Sequence, residues 1–153
     1  MEILDDVLAM LRTGAQVIVG SRRHPESDVE IYNHPLRRVG ALAFNALCRE
    51  MTGGIADTQC GFKFFNGPLA REAAAGLRTA GFAFDVELLM HCRRLGAGIV
   101  EIPVTWRDMP GSTFSVHRHA GNCLVELLRI RAAARRATPM APRIPVPDEL
   151  RTG

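Results

Sequence analysis

A short apolar run closed by glycine, Gln16-Val17-Ile18-Val19-Gly20, constrains this chain more than any other feature. It is too short for a helix and predicts a buried strand. The segment before it has helical spacing, with Ile3, Leu4, Val7, Leu8 and Leu11 in phase, and Thr13-Gly14 stops it. Helix followed by strand is the second half of a βαβ unit, and no strand precedes it. Strands and helices continue to alternate downstream, which predicts an α/β layer architecture.

Residues 21–35 are polar, contain two prolines and read as a loop. A helix is expected from Leu36 to Met51, with Leu36, Val39, Ala43, Leu47 and Met51 on one face and Thr52-Gly53-Gly54 ending it. Residues 55–60 make a polar turn. Gly61 to Phe65 reads as a strand, punctuated by Asn66-Gly67-Pro68, with Pro68 in the first turn of a helix running to about Leu77. A further helix spans about Phe84 to Leu95. Ile99 to Val104 follows as a strand, with Pro103 placing it at an edge or a bulge. Residues 107–118 form a loop, and the last helix runs from about His119 to Arg136. With 153 residues the chain suits one domain, 1–136, followed by a proline-rich disordered tail, 137–153.

No apolar run reaches the about 18 residues of a membrane-spanning helix. The acidic start, Met1 to Asp6, lacks the basic and apolar regions of a signal peptide. The four cysteines, Cys48, Cys60, Cys92 and Cys123, form no CxxC pair and read as reduced thiols in a cytoplasmic protein. Nineteen Lys and Arg against 16 Asp and Glu is a mild excess, but from Glu126 onward arginine dominates. Those arginines lack the interleaved aromatics of a nucleic-acid binder. They suit a solvated helix face, or an anionic membrane surface met by Leu124, Val125, Leu127, Leu128 and Ile130.

Three polar clusters stand at strand ends, where open α/β sheets bind ligands. The first is Gly20-Ser21-Arg22-Arg23, with Arg37 and Arg38 opening the next helix. Guanidinium groups pair with phosphate oxygens through two parallel hydrogen bonds, and surface arginines without a ligand are the plainer reading. The second is Asp57-Thr58-Gln59-Cys60-Gly61-Phe62-Lys63. Asp57 suits a base, a substrate contact or simply an Asx turn, and Lys63 a phosphate or solvent. The third is Phe84-Asp85-Val86-Glu87, where two carboxylates open a helix and suit its dipole, with Asp85 compatible with an N-cap. Trp106-Arg107 and Gly111-Ser112-Thr113-Phe114-Ser115 read as a lid-like loop. His117 and His119 alone make a weak metal site.

In order, GSR, the arginine pair before Phe44-Asn45, DTQCGFKFF, FAFDVELL, EIPVTW and GSTFS resemble the C-terminal half of family-2 glycosyltransferases. The similar branch acts on dolichyl or polyprenyl phosphate, and the similarity spans about Asp5 to Arg131. The resemblance implies part of a GT-A fold, without the N-terminal nucleotide-binding strands. It implies inverting transfer of a hexose from UDP-glucose or GDP-mannose to polyprenyl or dolichyl phosphate, by an enzyme peripheral to the inner membrane face.

By position it makes Arg22, Arg37 and Arg38 donor-phosphate binders. Asp57 and Gln59 become the catalytic pair, Lys63 and Ser112 acceptor-phosphate binders, and Asp85 and Glu87 a supporting acidic pair. The family's Mg²⁺ or Mn²⁺ is held by a DxD motif that does not occur in this sequence. The expectation is therefore a truncated transferase that needs a separate donor half or a homodimer, the alternative being a non-catalytic binding module. Many relatives also carry lysine where Thr113 stands.

Overall fold

The computed structural model describes residues 2–30, 44–79, 81, 83–107 and 116–136. In chain order they form α1 (Glu2–Arg12), β1 (Val17–Ser21) and β2 (Asp28–Glu30). Residues 44–51 are helical and are termed α2. Next come β3 (Lys63–Phe65), α3 (Gly67–Ala75), α4 (Phe84–Arg94), β4 (Ile99–Pro103), β5 (Thr105–Arg107) and α5 (Val116–Arg136). The tail 137–153 and the first half of the helix expected from Leu36 lie outside the described residues.

The buried apolar run is the centre of the molecule. β1 lies between β3, antiparallel to it, and β4, parallel to it. Its side chains alternate across the sheet, as strand geometry requires. Val17 and Val19 pack with Leu69 and Ala73 of α3 and with Leu89 and Cys92 of α4. Ile18 turns to the opposite face, where Val7 of α1 meets Ile102, Phe62 and Phe64. Val17, Ile18 and Val19 are each fully shielded from solvent, which contributes about 1.5–3 kcal/mol per side chain. The mixed α/β architecture expected from the sequence is thus present.

A third cluster lies outside that sandwich. Cys123, Leu127 and Ile130 of α5 pack against Cys48 and Met51 of α2 and Val86 and Met90 of α4. The arginine-rich helix therefore docks on other helices, not on the sheet. It leaves Leu124, Val125 and Leu128 exposed. Ile3, Leu4 and Leu8 of α1 are exposed as well, so only part of that helix's apolar face is covered.

The structure corrects several expected elements. The polar stretch 21–35 contains β2, and the Trp106-Arg107 segment is not a loop but β5. The two strands pair in parallel, Val29 opposite Trp106. Three-residue strands with exposed flanking side chains carry no periodicity to read, and each exists through its partner. Pro103 closes β4 opposite Ser21, on an edge of the central sheet, where a missing N–H costs little. α5 begins at Val116, not His119, α3 ends at Ala75 and α4 at Arg94. The N-cap of α4 is Ala83, not Asp85, and it makes no side-chain cap.

Two tight junctions hold the site's loops. Gly20 approaches its neighbours so closely that a Cβ there would stand 2.6 Å from Val104 Cγ1 and 3.1 Å from Phe62. At the end of α2, Gly53 and Gly54 take φ of 69° and 115°. The Arg93 side chain donates from Nε to Thr52 O (2.8 Å) and from Nη2 to Gly53 O (3.0 Å). A guanidinium placed there complements the negative end of the helix.

Candidate functional site

The C-terminal end of β1 delivers Ser21 and Arg22 to the loop after α2, which carries Asp57. The Arg22 backbone N–H donates to Asp57 Oδ2 at 3.1 Å. Its guanidinium adds Nε to Oδ2 at 2.6 Å and Nη2 to Oδ1 at 2.9 Å. This is the two-pronged arginine–carboxylate geometry, stronger and more directional than a single contact. Asp57 is 2% exposed and Arg22 29% on the side chain, so the pair is partly shielded from solvent. Burial pushes the Asp57 carboxyl up. The hydrogen bonds and charge of Arg22, joined by the Gln59 N–H, outweigh burial and hold it below the usual carboxylate range.

Asp57 Oδ1 also accepts from Gln59 N at 3.2 Å, the local turn that an aspartate favours. On its other side Arg22 faces the ring of Trp106, 5.2 Å from the centroid. Ser27 ties the two sheets beside it: its hydroxyl donates to Ser21 O at 2.6 Å and accepts from Val104 N at 2.9 Å.

Strand alternation sends Phe62 and Phe64 to the α1 face and Lys63 to the other. Lys63 Nζ donates to Cys60 O (2.6 Å) and to Asp85 Oδ1 (2.9 Å). Its side chain is 6% exposed, so a nearly buried ammonium is paired rather than solvated. Asp85 thus serves Lys63 and not the end of its own helix. Glu87 points elsewhere: its Oε2 accepts from Arg78 N (3.1 Å) and Thr79 N (2.9 Å), and His91 stands 3.9 Å from Oε1. The two carboxylates read as one pair in the sequence therefore hold two different segments.

Arg22 and Asp57, expected from the sequence to bind donor phosphate and to be catalytic respectively, meet directly. Arg37, Arg38 and Ser112 lie outside the described residues. Of the buried polar atoms of these segments, Ser21 Oγ and Gln59 Nε2 have no hydrogen-bond partner among the described residues. Glu101 is the residue that sequence reasoning missed. Its carboxylate accepts from Ala56 N and Asp57 N, and the only signal was an acidic residue inside an otherwise apolar strand. No three His, Cys, Asp or Glu side chains stand together as a metal site among the described residues.

An arginine–carboxylate pair and a lysine–carboxylate pair at the strand ends of an α/β sheet suit anionic substrates. The comparisons give the class: the chain is a partial match to the family-2 glycosyltransferases. It is similar to proteins named dolichyl-phosphate beta-glucosyltransferase. That of Dictyostelium discoideum is 32% identical over 117 residues, 75% of this chain and 36% of the relative. That of Saccharomyces cerevisiae is 32% identical over 123 residues, 79% of this chain and 37% of the relative. That of Homo sapiens is 35% identical over 97 residues, 63% and 30% respectively. The chain thus spans about a third of the length of the curated relatives it matches. No protein-family model matches it.

Proposed function

We propose that this chain is the acceptor-side portion of a GT-A glycosyltransferase that moves a hexose from a nucleotide sugar to dolichyl or polyprenyl phosphate. The supporting observation is the bidentate Arg22–Asp57 pair, which joins the GSR and DTQCGFK segments at one strand end. In the transfer a phosphate oxygen of the lipid attacks the anomeric carbon. The bond from that carbon to the diphosphate breaks, and the nucleoside diphosphate leaves with the electron pair, inverting the centre. The attacking phosphate is already anionic at neutral pH, so the step needs positioning and charge neutralisation rather than a strong base.

That matches the state of Asp57. A carboxylate held ionised by arginine is a poor proton acceptor near pH 7. Its role in this reading is to orient Arg22 toward phosphate, with Gln59 and Ser21 offering buried polar atoms to the bound substrate. Lys63, shared with Asp85, supplies the second positive charge, and Glu87 holds the 78–79 backbone. Arg37, Arg38 and Ser112 join as further phosphate contacts. The described residues bring no ligand set together for the divalent ion that the resemblance implies. Donor binding falls to a separate portion or a second copy, for which the exposed Ile3, Leu4 and Leu8 of α1 offer a surface.

No described helix is long and apolar enough to cross a membrane. Peripheral binding to the face that presents the lipid phosphate is supported by Leu124, Val125 and Leu128, exposed on α5 beside Arg129.

The test is transfer of radiolabelled glucose or mannose from UDP-glucose or GDP-mannose to dolichyl phosphate, with Mg²⁺ or Mn²⁺. The chain is assayed alone and with the donor-side portion of a relative. Transfer that requires this chain and is lost in Arg22→Ala supports the reading. Binding of dolichyl phosphate with no transfer under either condition marks a binding module instead.

A further inference from the structure

We propose that Glu101 is the positioning residue of the Arg22–Asp57 pair. It lies on β4 opposite Val19, and Val19 in turn lies opposite Lys63 on β3. Lys63, Val19 and Glu101 thus form one row across the sheet, on the face covered by α3 and α4. A carboxylate on such a face is unfavourable unless it is hydrogen-bonded. Glu101 meets that need by accepting from two consecutive backbone amides: Ala56 N reaches Oε1 and Oε2 at 3.1 and 3.0 Å, and Asp57 N reaches Oε1 at 3.2 Å.

Successive N–H groups turned toward one anion form a fixed concavity, and here they hold the peptides on both sides of residue 56. The direction in which Asp57 leaves the backbone follows from those peptide planes. Asp57 then accepts three hydrogen bonds from Arg22. The strand is rigid and the loop is not regular structure, so β4 sets where the loop's carboxylate stands. Substrate touches Arg22 in the proposed function, and Glu101 acts through Asp57.

The consequence for phosphate binding rests on that proposed function, while the geometry does not. The experiment separates them. In the ¹⁵N,¹³C-labelled full chain, hydrogen exchange at Arg22 Nε and the titration of the Asp57 carboxyl carbon are followed by NMR for wild type, Glu101→Gln and Glu101→Asp. The glutamine variant keeps the size and loses one acceptor oxygen and the charge. The expected result is Arg22 Nε–H exchange faster by about tenfold, the effect of losing a charge-assisted hydrogen bond. Loss of the Glu101 charge alone would lower the Asp57 midpoint, whereas the loosened Arg22 pairing raises it; a net rise is expected, and Val17 to Val19 amides stay protected. Glu101→Asp restores part of both signals.

Wild-type exchange and titration in Glu101→Gln would overturn the proposal. So would loss of Val17 to Val19 protection to the same extent as Arg22, which marks a general fold defect. If the glutamine variant does not fold, the aspartate variant decides by the same signals. Calorimetry with dolichyl phosphate in detergent micelles forms the second arm. Weaker binding in Glu101→Gln than in wild type is expected, and no binding by wild type counts against the proposed function without touching the NMR outcome.

Discussion

Replacing Asp57 by asparagine removes one charge and one acceptor from the centre of the site. In the native chain both carboxylate oxygens are engaged by the guanidinium, and Oδ2 also takes the Arg22 N–H. Asparagine turns an amide N–H₂ toward a donor of Arg22, so at least one hydrogen bond becomes a repulsion. Removing one member of a fully buried ion pair costs about 3–5 kcal/mol. Arg22 retains 29% side-chain exposure and can partly rehydrate, which lowers the expectation to about 2 kcal/mol. Urea unfolding at pH 7 measures this as a lower midpoint at unchanged slope. The variant's pH dependence is a second signature. Because Arg22 depresses the folded-state pKa of Asp57, the pair stabilises the chain above the ordinary aspartate pKa of about 3.9. That stability is lost as pH falls through the lower folded value, and Asp57→Asn lacks this acid limb. A double-mutant cycle with Arg22→Met isolates the coupling. A loss under about 0.5 kcal/mol at pH 7, or an acid limb identical to wild type, would refute the reasoning.

Three further outcomes follow from the packing. Gly20→Ala forces a methyl against Val104 and Phe62 and is expected to cost about 1–3 kcal/mol, read as a lower melting temperature. Burial raises the thiols of Cys48 and Cys92 from 9.0 to about 11. The unfolded chain then releases these protons first, so stability should fall between pH 9 and 11, and native thiols should react slowly with a disulfide reagent at pH 8. Leu124→Ser with Leu128→Ser should leave the melting temperature near wild type, since both side chains are exposed, and reduce co-sedimentation with anionic vesicles. Unchanged sedimentation would remove the membrane-surface role of α5.

The elements that were legible share one property: their pattern is local. β1 is an uninterrupted apolar run, α4 and the helical part of α2 place buried residues at helical spacing, and Asn66-Gly67-Pro68 starts α3 as its residue types require. Asn66 accepts from Leu69 N, and Pro68 sits in the first turn. β2 and β5 were not legible because neither has a core face of its own. Each holds its shape by pairing with a strand about 77 positions away.

For the site, residue type carried far. Arg22, Asp57, Lys63 and Asp85 stand out by charge beside strand ends, and the ordered motifs carried the glycosyltransferase resemblance found again in the relatives. Who pairs with whom was beyond it. Asp85 and Glu87 are two residues apart yet hold Lys63 and the 78–79 amides respectively, because neighbouring positions on a helix point in different directions.

The sequence by itself determined the layer class, the buried central strand and the set of charged side chains that stand near the strand ends, since each depends on near neighbours and residue chemistry. Only the tertiary structure decided that Arg22 spends its fork on Asp57, that Glu101 reaches the loop at residue 56, and that α5 covers helices and leaves a leucine stripe open. Those pairings span 35 to 45 positions or join separate elements. They arise from sheet register and helix docking, which no local spacing encodes.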